Sequence, residues 1–327
     1  MGKEIVLSGM RPTGRLHIGH LIGALENWVK LQDEYRCFFS IVDWHAMTTD
    51  FLKVRDVSEN IIEVALDWLA VGIDPSKSTV FVQSQVKDHS ELHLLLSMLT
   101  PMPWVERNPT LKEMVSDYGL SGKISYGLMG YPVLQAADIL IYRASKVPVG
   151  EDQVAHVEMA REIARRFNTH FGNILVEPAE LLTTTPRLPG IDGKKMSKSL
   201  DNCIYLSDAP NEVEAKVRKM ITDPEKIRKD DPGHPDVCSV FDYHRVFDRD
   251  TLEEARAGCI DGSLGCVTHK VDLAGKIAAH LTPIREKREE LAADSNSVKE
   301  TLASGAEIAA QATSQTMKDV RKALGLW

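Results

Sequence analysis

Glu4-Ile5-Val6-Leu7-Ser8-Gly9-Met10-Arg11-Pro12-Thr13-Gly14-Arg15-Leu16-His17-Ile18-Gly19-His20 is the stretch on which the fold turns. Its apolar opening predicts a strand over 4–7 that ends in a turn at Ser8-Gly9. A Pro- and Gly-containing loop, Arg11-Pro12-Thr13-Gly14, then leads to a helix whose apolar stripe is Leu21, Leu25, Trp28 and Val29. Phe38–Val42 predicts a second strand, apolar without alternation, as expected where both faces of a sheet are covered. Ile61, Ile62, Ala65, Leu66 and Leu69 mark the next helix, and Thr79-Val80-Phe81-Val82 a third strand. This β-α-β-α-β rhythm implies α/β architecture with a doubly wound parallel sheet and right-handed crossovers.

Further along, helix-like pieces around Pro101, Pro103 and Pro109 predict an insertion at about 90–128. A helix is expected over 155–167, with Val157, Ala160, Ile163, Ala164 and Phe167 on one face. Ile174-Leu175-Val176 is expected to be a later strand, followed by a loop over 183–193. Beyond about residue 200 strand signals nearly vanish. The expected domains are therefore 1–200, the sheet with its insertion, and 201–327, mostly α-helical, with the last helix able to pack back on the first domain.

The 327 residues are 43% hydrophobic and 26% charged, the composition of a soluble globular chain. No apolar run approaches the ~18–20 residues that span a bilayer. The first seven residues are too short and wrongly charged for a signal peptide, so a cytoplasmic location is expected. Thirty-nine basic and 47 acidic side chains give a formal charge of −8, which argues against broad nonspecific nucleic-acid binding. Basic clusters in the helical region, such as Lys216, Arg218 and Lys219, leave local phosphate contacts open.

Glycines let backbone N–H groups approach phosphate oxygens, and a following helix aims its N-terminus at them. The loop with Arg11, Pro12 and Thr13, together with His17, Gly19 and His20, fits that use. A second segment answers it far downstream: Lys195-Met196-Ser197-Lys198-Ser199. Its lysines are compact, mobile cations suited to a departing polyphosphate. In this order the two segments resemble the HIGH and KMSKS signatures of class I aminoacyl-tRNA synthetases. A third stretch sharpens the likeness: Gly130-Tyr131-Pro132-Val133-Leu134-Gln135-Ala136-Ala137-Asp138-Ile139-Leu140, then Val147-Pro148-Val149-Gly150-Glu151-Asp152-Gln153. With it the chain resembles the bacterial tryptophanyl-tRNA synthetases over nearly all of its first 205 residues, and again over 259–269.

That resemblance implies a Rossmann-like fold and a homodimer. The substrates implied are L-tryptophan, ATP carried with Mg²⁺, and tRNA(Trp); the products are tryptophanyl-adenylate and pyrophosphate, then tryptophanyl-tRNA. It implies catalytic roles for His17, His20, Lys195 and Lys198. For ATP it implies contacts from Arg11, Pro12, Thr13, Gly19, His20, Gly150, Glu151, Asp152 and the segment Lys195, Met196, Ser197, Lys198, Ser199. For tryptophan it implies Leu7, His45, Val147, Val149, Gln153 and Asp138, the last accepting the indole N–H. Indole offers one donor and no acceptor, so a carboxylate suits it. Gln135 departs from the methionine of some members. A subset of the family places four cysteines much as Cys238, Cys259 and Cys266 stand here and binds a [4Fe–4S] cluster. In this chain His269 takes the fourth place, which leaves open a cluster, a zinc ion or no metal. Other readings are a tyrosyl-tRNA synthetase, a nucleotidyltransferase sharing the HxGH loop, and a catalytically silent RNA-binding paralogue.

Overall fold

The structure, a computed structural model, describes residues 2–53, 55–117, 119, 124–182 and 187–326. Five strands form one sheet: β1 (Ile5–Met10), β2 (Arg36–Ile41), β3 (Thr79–Val82), β4 (Lys146–Val149) and β5 (Ala179–Leu182). The order is β3-β2-β1-β4-β5, and every neighbouring pair is parallel. The chain therefore reverses direction across the sheet between β1 and β4, the place where α/β sheets open a crevice at their strand ends. The expected doubly wound sheet is what the chain forms.

Two local expectations change. Ser8 and Gly9 lie inside β1, not in a turn. A Cβ on Gly9 would stand 2.9 Å from Val42 Cγ1 and 3.1 Å from Ser40 O, so glycine serves a close approach to the neighbouring strand. Ile174-Leu175-Val176 is irregular, and the strand falls later, at Ala179–Leu182. Asn168 explains this: its Oδ1 accepts from the N–H groups of Ile174 and Leu175, both at 3.0 Å, and its Nδ2 donates to Leu175 O at 2.7 Å. Those backbone groups are satisfied without a partner strand.

The helices follow the apolar spacing. Val154–Phe171 buries Val157, Ala160, Ile163, Ala164 and Phe167, the stripe expected. The stretch expected as an insertion holds the helices Asp88–Leu99, Met102–Glu106 and Pro109–Asp117; residues 118 and 120–123 of it lie outside the described residues. The helix Ser295–Ala323 crosses β3, where a Cβ on Gly305 would fall 1.8 Å from Val80 O. Only glycine permits that contact. Arg321 Nε donates to Glu91 Oε1 at 2.7 Å and Thr313 Oγ1 to Asp88 Oδ2 at 2.6 Å, tying this helix to the Asp88–Leu99 helix.

By compactness the chain divides into two units: Met1–Gly14 with Ala24–Thr184 and Asp294–Trp327, and Arg15–Gly23 with Thr185–Ala293. The first holds the sheet and the last helix. The second is built on the helices Pro210–Arg218, Ser239–Phe247, Leu252–Ile260 and Cys266–Ala293. Residues 183–186, where the loop over 183–193 begins, lie outside the described residues.

Candidate active site

In the second unit the two signature segments are neighbours because the chain just past Ser199 pairs with the chain just before His20. Ile18 N donates to Ile204 O and Leu206 N to Leu16 O, each at 3.0 Å, and His17 bridges Tyr205 antiparallel. His17 opens the short turn Ile18–His20; its backbone N–H donates to His20 Nδ1 at 3.2 Å, and the two rings lie 3.8 Å apart. Burial, reinforced by the Lys198 charge, pushes the His17 imidazole down to about 4. Burial, with the nearby His17 and Lys198, also holds His20 well below the ordinary histidine range. Both imidazoles are neutral at pH 7, and the cation beside them is Lys198. A Cβ on Gly19 would meet Met196 Sδ at 3.2 Å, so that glycine lets the Met196 side chain rest on the turn.

Asn202, which sequence reasoning did not single out, shapes the lysine-bearing loop. Its Oδ1 accepts from Ser197 N at 2.7 Å, and its Nδ2 donates to Asp192 Oδ1 at 2.8 Å and to Lys195 O at 3.1 Å. Gly190 is bound into the same turn: its N–H donates to Lys194 O at 2.7 Å, and a Cβ there would sit 2.3 Å from Asn202 Nδ2. Glycine at 190 therefore makes room for an amide. The side chain of Ser199 lies outside the described residues.

Arg11, Pro12 and Thr13 belong to the sheet unit, at the end of β1. Arg11 Nη2 donates to Thr49 Oγ1, and Thr13 N to Arg11 O at 2.9 Å. Gly150 directly follows β4 and caps the turn Glu151–Gln153, where Gln153 N donates back to Gly150 O at 3.0 Å. Glu151 is exposed, and the side chain of Asp152 lies outside the described residues.

Asp138 is the centre of the sheet unit's polar chemistry. It lies within the helix Tyr126–Ile141, 3% exposed, and so does not cap a helix start. Leu7, Val147 and Tyr131 share one apolar cluster with Phe38, Phe81 and Tyr142, and Val149 packs against it. Into this setting three side chains bring donors. Gln83 Nε2 reaches both carboxylate oxygens at 2.8 Å, His89 Nδ1 stands 2.6 Å from Oδ1, and His45 Nε2 stands 2.9 Å from Oδ2. Burial pushes the carboxyl up, but the hydrogen bonds and charges of His45 and His89 outweigh it and hold the group well below the usual carboxylate range. Asp138 is thus an ionised acceptor, and both imidazole nitrogens that face it donate. Tyr142 Oη, 2.8 Å from His89 Nε2 and held protonated by burial, completes the chain.

Gln83 and His89 escaped sequence reasoning because they meet Asp138 across 55 and 49 residues of chain. One signal was present: Gln83 directly follows β3, at the carboxyl end of a strand. Tyr131 lies edge-on to His45 at 6.2 Å, and its hydroxyl is 2.8 Å from His156 Nε2.

Cys238, Cys259, Cys266 and His269 do line one cavity, of about 10 Å³ for the centre of a water-sized sphere. That is room for a single water. Among the described residues no group of three or more His, Cys, Asp or Glu is arranged to hold a metal ion. His269 Nε2 is 2.7 Å from His244 Nδ1, and His244 Nε2 is 3.0 Å from Thr251 Oγ1, so the imidazole that replaces the fourth cysteine is already engaged. The donor set does not fit a cluster or a zinc ion as it stands, and the iron–sulfur or zinc expectation gains no support from it.

The model of the class I tRNA synthetases (W and Y) matches residues 2–282. With its parallel sheet and paired signature segments, the chain belongs to that class. The tryptophan–tRNA ligases of Thermotoga maritima and Aquifex aeolicus are 47% and 43% identical to it, each over 98% of this chain and 99% of the relative. A tryptophanyl-tRNA synthetase from Campylobacter jejuni, solved with ADP and tryptophan, matches with a TM-score of 0.88 at 34% identity, over 98% of this chain and all of that one. Within the class, it is the tryptophan–tRNA ligases to which this chain belongs. A tyrosyl-tRNA synthetase from Archaeoglobus fulgidus shares the fold, with a TM-score of 0.69 at 23% identity.

Proposed function

We propose that the chain activates L-tryptophan with ATP, releasing pyrophosphate, and passes the tryptophanyl group to tRNA(Trp). The attack of a carboxylate on the α-phosphate needs little proton transfer. Its catalysis rests on positioning and on cations where charge develops. Lys195 and Lys198 supply those cations in this reading. Neutral His17 and His20 donate hydrogen bonds to phosphate oxygens, and Gly19 lies against the nucleoside. Arg11, Pro12, Thr13, Gly150, Glu151, Asp152, Met196, Ser197 and Ser199 complete the ATP contacts. Mg²⁺ would travel with the triphosphate as part of the substrate and offset its charge.

The observation that carries the choice of tryptophan is the ionised, buried Asp138, whose helix neighbours Ala137 and Ile139 share an apolar cluster with Leu7 and Val147. An indole N–H rewards that acceptor, and a plain hydrocarbon ring does not. Val149, Gln153 and His45 complete the pocket. The Asp138→Asn variant tests this: the tryptophan KM in ATP–pyrophosphate exchange should rise about tenfold or more as a charge-assisted bond of about 1.5–3 kcal/mol weakens. The KM for ATP should stay within about twofold, and an unchanged tryptophan KM removes Asp138 from the pocket.

The exposed apolar side chains Leu94, Met98, Met102 and Tyr126 support a homodimer formed through this part of the sheet unit. The basic groups of the helical unit are offered to tRNA phosphates. No helix among the described residues is long and apolar enough to cross a membrane, which agrees with a cytoplasmic enzyme.

A further inference from the structure

The carboxylate of Asp138 has about four lone-pair sites, and three donor nitrogens already lie on it: Gln83 Nε2 shared between both oxygens at 2.8 Å, His45 Nε2 on Oδ2 and His89 Nδ1 on Oδ1. If Asp138 receives an indole N–H, as the proposed function requires, the newcomer competes with one of these three donors for an oxygen that is almost wholly enclosed, Asp138 being 3% exposed. The three are not equivalent. Gln83 and His89 are 0% exposed, and His89 is pinned on its far side by Tyr142 Oη at 2.8 Å. Moving either would strand a buried polar group, at a cost comparable to the bond gained. His45 is 7% exposed and makes the longest of the four contacts, 2.9 Å. Among the described residues its other ring nitrogen makes no hydrogen bond, and the ring lies edge-on to that of Tyr131.

We infer that His45 is the exchangeable donor: its Nε2–H occupies Asp138 Oδ2 until the substrate's N–H takes that oxygen, while His89 and Gln83 stay bonded throughout. The inference rests on the tryptophan reading and assigns distinct tasks within that pocket. His89 and Gln83 are positioning residues. They hold the carboxylate in place, and the Tyr142 hydroxyl, 2.8 Å from His89 Nε2, fixes the ring with Nδ1 turned to Asp138. His45 keeps the acceptor satisfied before binding, so that the buried carboxylate is never left short of a partner. Binding is then an exchange of one N–H donor for another on the same oxygen. Side chains that cannot donate at that point have nothing to offer in return.

The full-length protein labelled with ¹⁵N-histidine gives the test. Ring N–H signals of His45 and His89 are assigned by their loss in the His45→Gln and His89→Gln variants. Saturating L-tryptophan should move or remove the His45 signal and leave that of His89 in place. In exchange kinetics, His89→Gln should lower the preference in kcat/KM for tryptophan over its benzothiophene analogue by about tenfold. His45→Gln should change it by less than about threefold. A purely structural role for His89 would depress both substrates equally and leave that preference intact. A His45 signal unmoved at saturating tryptophan, or a His89 signal that moves in its stead, overturns the inference. Wild-type enzyme without tryptophan-dependent exchange would instead overturn the functional reading beneath it.

Discussion

The side chains of the proposed site differ in how openly the sequence displayed them. Asp138, His17, His20, Lys195 and Lys198 stood in recognisable segments. Asn202, Gln83 and His89 did not, because an amide or imidazole acquires its task only from what folding brings to it. His17 leads to a pH prediction. Its imidazole is held at about 4 in the folded chain against 6.5 when unperturbed, because burial and then the Lys198 charge disfavour the cation. Between those values the unfolded chain binds a proton that the folded chain refuses. Stability from this residue is therefore complete above 6.5 and declines as the pH falls toward 4. His17→Gln removes that contribution. Thermal melting should show a shallower loss of Tm from pH 7 to pH 5 in the variant than in the parent, and equal slopes would contradict the account.

Elements were legible where their apolar spacing was unambiguous. The strand at 79–82 and the helix stripe through Val157, Ala160 and Phe167 formed as expected. The strand expected at 174–176 did not, since a short apolar run does not distinguish a strand from a packed loop. The competing feature was one side chain, Asn168, which took up the local backbone groups. The loop that carries Lys195 and Lys198 is governed the same way, by Asn202 filling the space that Gly190 leaves. Gly190→Ala would force Asn202 out and release Ser197 N, at about 1–3 kcal/mol for an overpacked site. Its Tm should fall by several degrees, and kcat for exchange by about tenfold, with the tryptophan KM little changed. Parental Tm and kcat in this variant would show that the loop does not depend on the Asn202 contact.

Across the whole molecule, the β-α rhythm disclosed a parallel sheet, and the paired signatures disclosed the class. The units are less regular than the chain order suggests. Residues 15–23 group with 185–293, and the last helix returns to the sheet over Gly305. No local pattern announces that return, because it depends on a carbonyl more than 200 residues away. The three cysteines and His269 show the opposite outcome. Their spacing invited a metal, yet His269 pairs with His244, and among the described residues no such group is arranged to hold an ion. Iron and zinc analysis of purified protein decides the point: one metal per chain would show that these four side chains rearrange to hold it.

What the residues, elements and units have in common is a single reaction, the joining of tryptophan to AMP. ATP–pyrophosphate exchange measures it directly. The account predicts that L-tryptophan drives incorporation of labelled pyrophosphate into ATP, and that L-tyrosine at the same concentration leaves it at background. Equal stimulation by both amino acids, or none by tryptophan, would contradict it.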